Sequence, residues 1–464
     1  MITTFPTFTA ILDRRLRADS AAPLAVGFSG GGDSLALLIL TLDWAGAHGR
    51  PVVSLTVDHQ LNPASAAWTA AAVAKARGLG ATAGALAWSG AKPTTGLPAA
   101  ARAARHALLA DAARAVGAGV LLLGHTADDL AEAAAMRAEG STVSDPRDWA
   151  PSPAWPEGRG VFVLRPLLDV GRQALRDWLT ARGEAWLDDP ANEDAKYARA
   201  RARRLLFSPV LAGEVAAKRT EGASAAAEPS RAPSVTARIR AAPPPPFHGG
   251  GEGYLTLSRQ SPAAHVAAAC LCAAGTSQPP RGERLRRLVD RIRAGEAFTA
   301  TLAGARIEAS GDGMRFFREL GEARRGQSPP PMGEVSAQSA EGGMVPPRQV
   351  PPTGPSGRLP HGGRTLPLPV GQAVVWDGRY EITAAVPGLT VRPLQGLAAR
   401  LPAAQRQALK ALPAAARAAL PVLVDPAGTV GCPILAGVFA TRVRCLVVDR
   451  FEAAVGRVDQ EAAT

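Results

Sequence analysis

The chemistry of this chain starts at Ser29-Gly30-Gly31-Gly32-Asp33-Ser34, set between the apolar run 23–28 and an apolar helical stretch, Ser34 to Trp44. Glycines let the backbone turn sharply and bring its N–H groups close to an anion. A helix starting just after the turn adds its positive end, and Ser29 and Ser34 add hydroxyl donors. The loop therefore reads as a phosphate cradle. It lacks the Lys-Ser/Thr pair of a Walker loop, which argues against a simple NTPase. The plainer reading is a Gly-rich turn with Asp33 as a helix cap.

A second group is His125-Thr126-Ala127-Asp128-Asp129-Leu130-Ala131-Glu132. On a helix Asp128 and Glu132 are four apart and share a face, with Asp129 nearly on it. Like charges at that spacing cost helix stability, so a cation is expected between them, either Mg²⁺ or an amine. Acids at a helix N-terminus are also favoured with no ligand at all. The rim shared with a phosphate loop favours the functional reading.

These residues need elements to hold them. Apolar runs at 23–28, 52–57, 81–88, 120–124 and 161–164 alternate with helical patterns at 34–44, 64–77, 97–116, 128–138 and 172–181. That alternation, with continuously apolar strands, predicts an α/β domain whose parallel sheet is covered on both faces. Ligands of such sheets lie beyond the carboxyl ends of the strands. Ser29–Ser34, Asp58–Asn62 and His125–Glu132 each follow a strand and so share one rim.

The chain has 464 residues, 47% hydrophobic and 20% charged, enough for several packed domains. No apolar run reaches the roughly 20 residues of a membrane helix. The first apolar stretch precedes Asp13-Arg14-Arg15 rather than following a charged region, which does not suit a secretory signal. The four cysteines, Cys270, Cys272, Cys432 and Cys445, fit no disulfide framework or zinc spacing and read as small core residues of a reducing, cytoplasmic compartment. Residues 1–215 carry 22 Lys+Arg against 21 Asp+Glu, while the remaining 249 carry 30 against 19. A near-neutral first half and a basic second half suit a catalytic unit joined to a polyanion-binding one. In the second half Arg281, Arg284, Arg286, Arg287, Arg291 and Arg293 crowd one predicted helix, 281–294, with Leu285, Leu288, Val289 and Ile292 as its packing face. Residues 217–252 and 324–363 are rich in Pro, Gly, Ser and Ala and read as linkers or insertions. Between them, 254–323 reads as folded, with a helix at 262–274 and a strand pair at 298–317. The last unit, 364–455, is expected to hold strands at 373–376 and 445–448, a turn at Asp377-Gly378 and helices within 402–419.

The loop SGGxDS resembles the PP-loop of ATP pyrophosphatases, which split ATP between its α and β phosphates. The segment His125 to Ala133 resembles the H-x-x-D-D-Q-x-E-T box of the tRNA(Ile)-lysidine synthetase family. Val57-Asp58-His59-Gln60-Leu61-Asn62-Pro63, Ala101-Arg102-Ala103-Ala104-Arg105-His106, Arg165-Pro166-Leu167-Leu168, Asp189-Pro190-Ala191-Asn192 and the arginine-rich Tyr197–Arg203 resemble further family pieces in the family's order. The likeness is clear over about residues 20–210 and fainter beyond. Leu130, Ala133, Asn62 and His106 stand where the family has Gln, Thr, Arg and Tyr.

The resemblance implies an N-terminal PP-loop catalytic domain, 1–210, of the adenine nucleotide alpha hydrolase-like type. It also implies smaller α/β or α+β domains: a middle tRNA-binding one at 254–323 and a C-terminal substrate-binding one at 364–455. It implies ATP-dependent ligation of lysine to C2 of the wobble cytidine of a CAU-anticodon tRNA(Ile), through an adenylated cytidine, with Mg²⁺ in support. Ser29, Gly30, Gly31, Gly32, Asp33 and Ser34 would hold the nucleotide. Asp33, His125, Asp128, Asp129 and Glu132 would be catalytic, the acids forming the lysine pocket. Another PP-loop enzyme acting on tRNA, or an inactive RNA-binding relative, stays open at this point. So does the oligomeric state, a homodimer included. Missing cysteines before Cys270 disfavour sulfur transfer and glutaminase-coupled chemistry. If 324–363 is a spacer, replacing it by a short Gly/Ser linker that still bridges the span should leave lysine incorporation near wild type, measured with labelled lysine.

Overall fold

The computed structural model describes residues 5–140, 146–187, 252–320 and 365–463. Asp189–Asn192, Tyr197–Arg203, 217–251 and 324–363 lie outside the described residues. The chain opens with α1 (Pro6–Arg15), which the sequence reading did not anticipate. Then follow β1 (Leu24–Gly27), α2 (Gly32–Ala47), β2 (Val52–Asp58), α3 (Ser65–Gly78), β3 (Thr82–Ala87), α4 (Leu97–Ala115), β4 (Val120–Leu123), α5 (Ala127–Ala138), β5 (Trp149–Pro151), β6 (Phe162–Leu164) and α6 (Arg172–Ala181).

The six strands are ordered β3-β2-β1-β4-β6-β5. All pairs are parallel except the short β5 against β6, an edge strand too brief to show in the sequence pattern. The chain departs in opposite directions from β1, so β1 and β4 flank the topological switch point where such sheets bind ligands. Alternate strand residues face opposite layers. Leu24, Val26, Val120, Leu122 and Leu164 pack with residues of α1, α2, α3 and α6. Ala25, Leu121, Leu123 and Val163 pack instead with Leu109 and Ala113 of α4. The sheet is thus covered on both faces, as the continuous apolar strands require. No helix of the described residues is long and apolar enough to cross a membrane.

The second half is built from antiparallel sheets. Residues 298–318 form three strands rather than a pair, β8 (Phe298–Leu302), β9 (Ala305–Ser310) and β10 (Gly313–Arg318), and with β7 (Leu255–Ser258) they give the order β7-β10-β9-β8. The helices Ala263–Ala274 and Gly282–Arg293 supply apolar partners to it, Cys270 and Cys272 among the buried small residues. Two further sheets follow: one of β11 (Leu366–Pro367), β14 (Thr390–Pro393), β15 (Pro421–Val424) and β16 (Val430–Gly431), the other of β12 (Ala373–Trp376), β13 (Tyr380–Ala384) and β17 (Thr441–Cys445). The stretch 445–448 is not a strand: β17 is Thr441–Cys445, and Val447–Ala454 is a helix burying Val447 and Phe451. Its apolar residues recur at four, a helical spacing that a four-residue run conceals.

The parts are joined by buried polar contacts. Arg379, almost wholly buried, pairs with Asp377 at 2.7 Å, and Arg318 reaches the same carboxylate at 3.1 Å, joining β10 to the β12–β13 hairpin. The ring N–H of Trp155 donates to the carbonyl of Gly378, Arg159 pairs with Glu381, and Arg450 lies over the Trp155 ring while donating to the carbonyl of Thr276. The last residues return to the first domain. Glu461 accepts from Arg50 at 2.7 and 2.8 Å, with side-chain exposures of 3% and 0%. Its N–H donates to the carbonyl of Arg15, and Arg15 donates to the carbonyl of Asp459. Breaking a buried pair leaves a charge uncompensated, at a cost of about 3–5 kcal/mol. Glu461→Ala should therefore lower stability by about that much in chemical denaturation. Glu283→Ala, which opens only exposed pairs with Arg286 and Arg287, should change it by less than about 1 kcal/mol.

Candidate active site

The phosphate loop has the geometry its sequence implied. Gly31 caps α2, so Gly32, Asp33 and Ser34 form its first turn, where backbone N–H groups lack helical partners. Ser34 Oγ accepts from the Ser29 N–H at 3.2 Å and donates to the Gly31 carbonyl at 2.9 Å, closing the turn. Ser29 Oγ lies 3.1 Å from Ser34 Oγ. Gly30 has a φ of +87°, and a Cβ there would come within 2.7 Å of Leu187. The Leu187 N–H donates to the Gly30 carbonyl at 3.0 Å, and the Trp186 ring lies beside Gly32. Residues 186–187 thus brace the loop, a role no sequence pattern pointed to.

At the end of β4, α5 begins at Thr126 with a reciprocal cap. Asp129 accepts from the Thr126 N–H at 3.0 Å and from its hydroxyl at 3.2 Å. Asp129 therefore does serve the helix end, as the plainer reading held, and it does more. Glu132, three residues on, has a wholly buried side chain. A Cβ on Gly124 would meet the backbone of Asp33 at 3.0 Å, so the bare glycine lets β4 and α2 close on each other. His125 is buried, and its charge acts on His106 of α4.

The cation that stands among the acids is a guanidinium of the protein itself, neither the Mg²⁺ nor the amine expected from their spacing. Arg172, the first residue of α6, donates from Nε to Asp33 Oδ2 at 2.9 Å. Its Nη1 lies 3.5 Å from Glu132 and its Nη2 3.9 Å from Asp129. Its backbone N–H donates to Asp128 Oδ2 at 2.7 Å. One residue thereby gathers all four acids of the sequence analysis. Burial works against the Arg172 charge, but Asp33, Asp129 and Glu132 outweigh it and hold the guanidinium above its ordinary range. Burial pushes the Asp33 carboxyl up, against the pull of Arg172. Asp33 Oδ1 is buried and makes no hydrogen bond. Sequence reasoning missed Arg172. The available signal was an arginine at a helix N-terminus, where the helix dipole disfavours it.

Among the described residues no cluster of three or more His, Cys, Asp or Glu could hold a metal by itself. Asp33 Oδ1 is an oxygen donor awaiting a partner, and Mg²⁺ commonly takes one or two carboxylates plus substrate phosphates. The residues fit that mode.

A glycine loop at a helix start, at the switch point of a parallel sheet, defines a PP-loop nucleotide-binding domain, and residues 6–210 match the PP-loop domain family. The whole chain is 51% identical to the tRNA(Ile)-lysidine synthase of Caulobacter vibrioides, over 98% of each protein. It is 40% identical to the enzyme of that name from Hyphomonas neptunium over 62% of this chain and 79% of that one. With that of Brucella anthropi the figures are 36%, 65% and 69%. The chain belongs to the tRNA(Ile)-lysidine synthase family.

Arg172→Gln should leave three acids crowded without their cation. Turnover should fall by at least about tenfold, the size expected for a charged hydrogen bond, while anticodon stem-loop binding stays within twofold. Single-turnover kinetics beside a binding titration would check both.

Proposed function

We propose that this protein ligates lysine to C2 of the wobble cytidine of a CAU-anticodon tRNA(Ile), consuming ATP and releasing AMP and pyrophosphate. The observation that carries the reading is the phosphate loop and the acidic cluster meeting on one rim, joined through Arg172. In a first step the cytidine C2 oxygen attacks the α phosphate of ATP and pyrophosphate leaves. The C2 oxygen is a poor leaving group until it carries AMP. In the second step the side-chain amine of lysine attacks C2, AMP departs with that oxygen, and the amine gives up a proton.

The roles follow from position. The N–H groups at the start of α2, with Ser29, Gly30, Gly31, Gly32 and Ser34, hold the phosphates and stabilise charge as it develops on pyrophosphate. Asp33 would hold Mg²⁺ through Oδ1, and the ion would supply further neutralisation of the phosphate oxygens. Asp128, Asp129 and Glu132 form the acidic ground for the lysine ammonium. His125 orients the cytidine or accepts the proton of the attacking amine. The Arg-bearing face of the helix Gly282–Arg293 suits tRNA phosphates, since Arg284, Arg286 and Arg287 are exposed while Leu288, Val289 and Ile292 are buried.

The direct test is transfer of labelled lysine to a tRNA with a CAU anticodon; ATP-dependent labelling is expected, and tRNA binding without it would leave an inactive relative. Asp33→Ala should cut pyrophosphate release about a hundredfold or more with tRNA binding retained. Glu132→Gln and Asp129→Asn should raise the lysine KM about tenfold or more while that of ATP moves less. An unchanged lysine KM in both would reduce these acids to helix-end solvation.

A further inference from the structure

The acids that the reading above gives to the lysine ammonium are closed off in this structure. Side-chain exposure falls inward along the cluster, from Asp33 at 22% through Arg172 at 16% and Asp129 at 11% to Glu132 at 1%. An ammonium that is to pair with Glu132 must pass the Arg172 guanidinium, which stands 3.5 Å from that carboxylate and on its more exposed side. A second cation brought to the same carboxylate is repelled by the first. The place the lysine amine needs is therefore filled by a side chain of the protein.

Arg172 is held firmly at one end and loosely at the other. Its backbone N–H donates to Asp128 Oδ2 at 2.7 Å, which anchors the start of α6. The guanidinium makes one close hydrogen bond, from Nε to Asp33 Oδ2 at 2.9 Å. Its ion pairs with Glu132 at 3.5 Å and Asp129 at 3.9 Å are long, beyond the range of a strong charged hydrogen bond. The close bond goes to the phosphate loop, where Gly32, Asp33 and Ser34 form the first turn of α2 and its N–H groups suit phosphates. Guanidinium groups favour the bidentate geometry that phosphate oxygens offer. A triphosphate on the loop thus brings Arg172 a better partner than Glu132, beside the residue it already grips. Arg176, one turn further along α6, also favours the Asp33 charge, so the loop acid keeps a cation nearby when Arg172 turns away.

We propose that Arg172 is a lid on the lysine pocket, opened by the triphosphate of ATP. Without nucleotide the guanidinium fills the place in front of Glu132. With the triphosphate on the loop it turns to the phosphate oxygens and leaves that place to the lysine ammonium. The proposal rests on the ligase reading above and assigns the order in which two of its substrates bind, ATP before lysine. The motion is confined to one side chain, because the backbone at Arg172 stays tied to Asp128. Lysine and ATP then raise each other's affinity by the same factor, since both favour the open position.

The test uses the full-length protein, labelled L-lysine, Mg²⁺ and an ATP analogue with a methylene bridge between its α and β phosphates. In equilibrium dialysis, wild-type lysine affinity should rise about tenfold on saturation with the analogue. Arg172→Met should bind lysine about tenfold more tightly than the wild type without nucleotide, and the analogue should then change it by less than about twofold. A purely structural role for Arg172 would instead lower lysine affinity in both states and overturn the proposal. A measurement on the wild type covers the case of a variant that does not fold. Carbodiimide-driven amidation of Glu132, read by peptide mass spectrometry, should be slow in the free protein, about fivefold faster or more with the analogue, and slow again with analogue and lysine together. Lysine affinity indifferent to the analogue, or coupling that survives in Arg172→Met, would overturn the proposal. So would Glu132 amidation that the analogue leaves unchanged. If lysine binds in neither state and none reaches a CAU-anticodon tRNA, while the analogue still uncovers Glu132, the ligase reading falls and the nucleotide-driven lid stands.

Discussion

The rim of this protein brings four carboxylates into a space that would repel them apart, and one guanidinium makes the arrangement possible. Arg172 holds the phosphate-loop acid, Asp33, by a hydrogen bond, stands between Asp129 and Glu132, and offers its backbone N–H to Asp128. The interaction ties three elements, α2, α5 and α6, that share no sequence neighbourhood. Other features serve the same closeness. Gly124 has no side chain to push β4 away from Asp33, and the reciprocal cap between Thr126 and Asp129 fixes the angle at which α5 starts. One cation supplied from α6 leaves the four acids negative overall.

The sheet also divides the charges of the rim. Acids and phosphate loop lie toward α2 and α6, and the arginines of α4 and Arg165 lie on the other layer.

The sequence made much of this legible. Elements of the first domain carry strong periodicity, so β1 to β4 and α2 to α6 fall within three residues of expectation. The phosphate loop was readable because glycine spacing and its chemistry coincide. What escaped was long-range. Arg172 meets Asp33 across 139 positions, and no local rule predicts that pairing. Trp186 and Leu187 brace the glycine loop from a segment with no motif of its own. The stretch 445–448 was read as a strand because four apolar residues fit either period, and β5 was missed because three residues carry no pattern. The A-R-x-x-R-H segment resembles a family piece, yet the burial of its His106 is a tertiary fact.

The return of residues 458–461 to the first domain has a consequence for how the chain tolerates change. Glu461 in the hands of Arg50, and the Trp149 ring N–H on the Val458 carbonyl, hold the last sheets against the catalytic domain by contacts at the far end of the chain. A linker normally sets the effective concentration of the two units it joins, and lengthening it dilutes one against the other. Here the clasp supplies that concentration independently. The registration of the two halves is thereby independent of the length of the chain that joins them.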